Sequence, residues 1–154
     1  MSEVLFYHAE RASLEDVLPG LLERTRERGW KALVRVGSDE RAMALDTQLW
    51  TYKEEGFLAH GLYRDPHPTE QPIVLTSRDG NANNAEVMFL ADGAEPGDWA
   101  AEDIKQLTRI VLIFDGRDAT AVDAARAQWT HAKAAGHEVT YWQQSASGKW
   151  EKKA

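Results

Sequence analysis

The chain has 154 residues, a formal net charge of −7 and no cysteine. At ~100–200 residues per domain its length fits a single domain, 1–154, and its 43% hydrophobic and 28% charged content is that of a folded globular chain. The acidity argues against a direct grip on nucleic-acid phosphates, and the lack of cysteine excludes disulfides, thiolate catalysis, Cys-ligated zinc and iron–sulfur clusters.

Residues 1–8 carry no Lys or Arg ahead of their apolar run, unlike a signal peptide. No apolar run approaches the ~20 residues of a membrane helix. The expectation is a soluble, cytoplasmic domain with no membrane partner.

Val4-Leu5-Phe6-Tyr7 reads as a first strand. Ser13, with Asp16 three residues on, is a capping signal for a helix with Leu14, Val17, Leu18, Leu21 and Leu22 at helical spacing. Pro19 is tolerable there if it falls near the first turn. Gly29 ends the helix behind Arg24, Arg26 and Arg28. Lys31 to Val36 reads as a strand, and Ser38 caps a second helix with Asp39 and Glu40 in its first turn.

Glu54 to Pro72 holds two glycines and three prolines. It is long for a loop in a compact domain, so it is functional or hides a short strand. Residues 73–76 and 87–90 read as strands, 99–108 as a short helix and 110–114 as the most buried strand. Asp115-Gly116 is a turn, Ala119 to Ala135 a long Ala-rich helix closed by Gly136, and 139–142 the last strand. The order predicts an α/β domain with a mostly parallel sheet covered by helices, similar to nucleotide-binding folds.

Such a sheet invites a nucleotide, yet the phosphate-binding loops are missing. His8-Ala9-Glu10-Arg11 follows the first strand, and Gly37-Ser38-Asp39 has one glycine. No cofactor is expected. Asp115 and Asp118, past the most buried strand, could hold Mg²⁺ in a small hydrolase or phosphotransferase; the competing reading is a turn aspartate and a helix cap. The five histidines show no HxxxH or HExxH spacing and there is no GxSxG, so no catalytic or metal residue is expected.

Six tryptophans are unusual for this length. Arg126, Trp129 and Lys133 are spaced i, i+3, i+7 and share one helix face with Thr130. Tryptophan and arginine are favoured interface residues, and together they suit an apolar, acidic peptide end. The alternative is that Trp129 packs on the sheet while the cations reach solvent.

Four stretches together resemble the chi subunit of bacterial DNA polymerase III in its alphaproteobacterial form. They are Val4-Leu5-Phe6-Tyr7; Leu45-Asp46-x-x-Leu49-Trp50 with Phe57 and His60-x-Leu62; Pro72-Ile73-Val74-Leu75; and Ile113-Phe114-Asp115-Gly116-Arg117 through Ala124, Arg126 and Trp129 to Ala135-Gly136-His137. The resemblance implies a non-catalytic replisome subunit that joins the clamp loader, through psi or its replacement, to single-stranded DNA-binding protein (SSB). Contact with DNA is then only indirect. It implies that the acidic SSB tail docks on the helix around Arg126 and Trp129, with Lys133 and Arg117 adding charge. Val122 and Thr130 stand where some members have lysines, so the basic patch is thinner here. Trp50, Phe57 and His60 form a possible second partner patch, with core packing as the alternative for Trp50 and Phe57.

Overall fold

The computed structural model describes residues 2–9, 14–51, 60–62, 71–147 and 149–154, without the side chains of 50 and 51. The elements in chain order are β1 (Glu3–Ala9), α1 (Leu14–Glu27), β2 (Ala32–Arg35), α2 (Asp39–Thr51), β3 (Gly61–Leu62), β4 (Ile73–Thr76), β5 (Val87–Leu90), α3 (Glu102–Lys105), β6 (Arg109–Asp115), α4 (Ala119–Ala134), β7 (Glu138–Gln144) and β8 (Trp150–Lys152). The strands form one sheet in the order β3-β4-β2-β5-β6-β1-β7-β8. All neighbours pair in parallel except β7 and β8. The α/β class and the mostly parallel sheet are as the sequence predicts.

Alternation along each strand sorts the core into two layers. Leu5 and Tyr7 of β1 and Val111 and Ile113 of β6 join Val17, Leu18, Leu21 and Leu22 of α1 and Leu45 and Leu49 of α2. Val4 and Phe6, with Ile110, Leu112 and Phe114, point the other way, toward Ile104 of α3 and Ala125 and Ala132 of α4. The central strands are buried on both faces, which is why they read as unbroken apolar runs.

Three details, in α1, in α3 and at β8, differ from expectation. Pro19 lies beyond the first turn of α1. The helix expected over 99–108 shrinks to Glu102–Lys105, because Trp99 instead fills the core, donating its indole N–H to Gln128 Oε1 at 2.7 Å. Short β3 supplies the strand hidden in the irregular stretch, and β8 adds an edge that polar spacing conceals. The Ser13 cap lies outside the described residues. Ser38 does cap α2, its Oγ accepting from Arg41 N–H at 3.2 Å.

Candidate functional site

Helix α4 is held at both ends by the groups the sequence suggests. The Asp118 carboxylate accepts from Thr120 N–H at 3.0 Å and Ala121 N–H at 3.4 Å. Gly136, at φ 91°, turns the chain out of the helix in a conformation glycine adopts freely. Ala125 and Ala132 form its buried stripe, and their small side chains let the helix lie close on the sheet.

Trp129 stands at the margin of that stripe and is half-buried. Its ring meets Phe6 edge-on, with centroids 5.4 Å apart, and Tyr141 of β7 at 6.1 Å. Lys133 Nζ lies 5.2 Å from the Trp129 ring centroid, within cation–π range. Arg126, one turn earlier, is exposed over 79% of its side chain, and its ion pair among the described residues is with Asp123, at 4.0 Å. An exposed i,i+3 pair at that distance is weak, so the guanidinium is readily turned to another anion. Trp129 thus packs one edge on the sheet, as in the packing alternative, while its ring also carries a surface cation.

Arg117 sits elsewhere. Its backbone N–H and its Nε both donate to Asp115 Oδ1, at 2.9 and 3.1 Å. These donors hold the Asp115 carboxyl below its ordinary range. Arg117 lines a cavity of about 530 Å³ at the C-terminal edge of the sheet, whose described lining does not include Arg126, Trp129 or Lys133. Parallel α/β sheets hold nucleotides at this edge. Among the described residues, the rim carries five carboxylates against Arg41 and Arg117. Arg41 is already paired with Glu15 at 2.6 Å and Asp92 at 2.7 Å. Asp115 and Asp118 are each committed to local N–H donors, as in the turn-and-cap reading, and among the described residues no group of three His, Asp or Glu could hold a metal ion.

Of the possible second patch, Phe57 and the side chain of Trp50 lie outside the described residues. The His60 side chain is fully buried, with Nε2 at 3.1 Å from Asp46 O and 3.2 Å from Asp46 Oδ1, so it offers no surface to a partner.

A family model described as DNA polymerase III chi subunit, HolC, matches residues 1–140. The chain belongs to this family. It is similar to a protein of Rickettsia prowazekii (strain Madrid E) named "Probable DNA polymerase III subunit chi", at 30% identity over 120 residues, covering 75% of this chain and 71% of that protein. Membership makes the chain a DNA polymerase III accessory subunit of the chi type. Sequence reading found the α4 cations but missed Tyr141, which with Phe6 forms the shelf under Trp129. The available signal was strand alternation: Phe6 and Tyr141 are register partners on β1 and β7.

Proposed function

We propose that this chi-family chain joins the clamp loader to SSB by taking the acidic SSB tail on α4. Arg126 pairs with the terminal carboxylate, and Lys133 steers the acidic residues toward the helix. The half-buried Trp129 ring gives the terminal apolar side chain a surface to lie on. The observation that carries this reading is the Lys133–Trp129–Arg126 face itself. It sets Lys133 against an aromatic ring whose position is fixed by Phe6 and Tyr141, with the exposed Arg126 one turn earlier on the same helix. A charge-assisted, planar bond from guanidinium to carboxylate is the strongest single contact such a face can make. Arg117, engaged with Asp115 at the sheet edge, plays at most a long-range part.

Titrating a fluorescently labelled peptide with the SSB C-terminal sequence tests the proposal by anisotropy. Saturable binding that weakens as salt rises is expected, because rim charges are screened. Absence of binding at low salt contradicts it.

A further inference from the structure

A second, smaller cavity of about 120 Å³ opens on the α1 face of the sheet, remote in sequence from α4. Its lining includes Tyr7, Arg24, Thr25, Arg28 and Arg109. Three guanidiniums around one small cavity are unexpected in a chain of net charge −7. Only Arg109 has a carboxylate partner among the described residues: its Nε and Nη2 both reach Glu3 Oε2, at 3.1 and 3.0 Å. Arg28 and Arg109 rest against the same indole, with guanidinium carbons 5.2 and 5.4 Å from the Trp30 ring centroid. That stacking fixes the direction of two cations before any ligand arrives.

The negative end of the α1 dipole, equivalent to roughly half a charge, offsets part of this cluster. Glu3 offsets one guanidinium more. Among the described lining residues an excess of more than one positive charge remains, beside the Tyr7 hydroxyl. Tyr7 faces the cavity with its ring held by Trp142 and Trp150, at 6.2 and 4.7 Å between centroids. The unneutralised charge matches a phosphate, which carries about −1.5 to −2 at neutral pH and offers three acceptor oxygens or more.

We propose that this cavity is a phosphate site, in which Arg24, Arg28, Arg109 and the Tyr7 hydroxyl hold inorganic phosphate or the phosphate of a monoester. The site contrasts with the acidic crevice at the C-terminal edge, where an α/β sheet ordinarily binds phosphate. It stands independently of the α4 reading.

Titration of inorganic phosphate into the ¹⁵N-labelled protein at constant ionic strength tests the proposal, with sodium acetate as control. Saturable amide shifts are expected around Tyr7, Thr25, Arg28 and Arg109. In the Arg24→Gln/Arg28→Gln variant the affinity should fall at least tenfold with the rest of the spectrum unchanged. Arg126→Gln should bind phosphate like the wild type. Phenyl phosphate separates the sources: binding as tight as inorganic phosphate indicates an esterified ligand, weaker binding a free ion. Shifts that do not saturate, acetate binding as tightly as phosphate, or wild-type affinity in the double variant overturns the proposal.

Discussion

The Gln48 side chain of α2 donates its amide N–H to the backbone carbonyl of Glu15 in α1 at 3.1 Å. Glu15 is four residues before Pro19, whose ring nitrogen has no hydrogen to give that carbonyl. One helix thus supplies the donor that proline removes from the other. Gln48→Met should lower stability by ~0.5–1.5 kcal/mol, the net contribution of one hydrogen bond. In a Pro19→Ala background, where an N–H is restored at residue 19, the same change should cost distinctly less. Denaturant unfolding of the four proteins gives the coupling; equal costs in both backgrounds contradict the pairing.

Arg35 is buried at the end of β2 and binds two loops. Its Nη1 donates to Glu95 O at 3.0 Å and its Nη2 to Gly80 O at 3.1 Å. Arg35→Ala should cost ~3 kcal/mol or more, since each hydrogen bond from a charged group contributes ~1.5–3 kcal/mol. Urea unfolding checks this, and a loss below ~1 kcal/mol would mean that the loops hold themselves.

A Cβ on Gly37 would lie 2.6 Å from the Asp92 carbonyl oxygen. Gly37→Ala must push the Asp92 loop away and disturb its bond to Arg41, at a cost of ~1–3 kcal/mol. Thermal unfolding of the variant, compared with Gly20→Ala, where the added carbon meets nothing within 4 Å, separates crowding from backbone entropy.

Burial raises the Tyr7 hydroxyl above its ordinary value of 10.0, outweighing the pull of Arg109, Arg24 and Arg28. The unfolded chain therefore loses this proton first. The Tyr7 contribution to stability is present below pH ~10 and is lost as pH rises above that value toward the folded-state value. Tyr7→Phe should flatten the alkaline fall in stability and remove one phenol titrating above ~10 from the absorbance titration. An unchanged alkaline limb contradicts the assignment.

How far the sequence foretells this molecule depends on which force positions each element. β6 and α4 were legible because apolar runs and alanine spacing report burial directly. β8 was not, since its three residues, Trp150 to Lys152, are placed by pairing with β7 and carry no pattern of their own. Arg126, Trp129 and Lys133 share a face that helical spacing reveals, whereas Arg117 was grouped with them on charge alone and is drawn off to Asp115. The arginine cavity was invisible for a different reason. Arg24 and Arg28 read as ordinary complements of a helix C-terminus, and only the parallel pairing of β1 with β6 brings Tyr7 and Arg109 beside them.

Trp129 has one edge on the sheet and a cation on its ring, so its removal should show in both folding and binding. Trp129→Ala should cost less than the ~3–5 kcal/mol of a fully buried aromatic, because the ring is only half-buried. Lys133→Ala should cost at most ~1 kcal/mol, the scale of an exposed cation–π contact. Chemical denaturation of both variants checks the ranking, and a Lys133 effect larger than that of Trp129 contradicts it.

The central claim rests on Arg126, and peptide affinity measured on Arg126→Ala by calorimetry tests it most directly. The side chain is 79% exposed, so the variant should unfold at the wild-type denaturant concentration. Its affinity for the SSB tail peptide should nevertheless fall by ~1.5–3 kcal/mol, the scale of a hydrogen bond to a charged group. A folded Arg126→Ala protein that binds the peptide as tightly as the wild type would contradict the assignment of the tail site to α4.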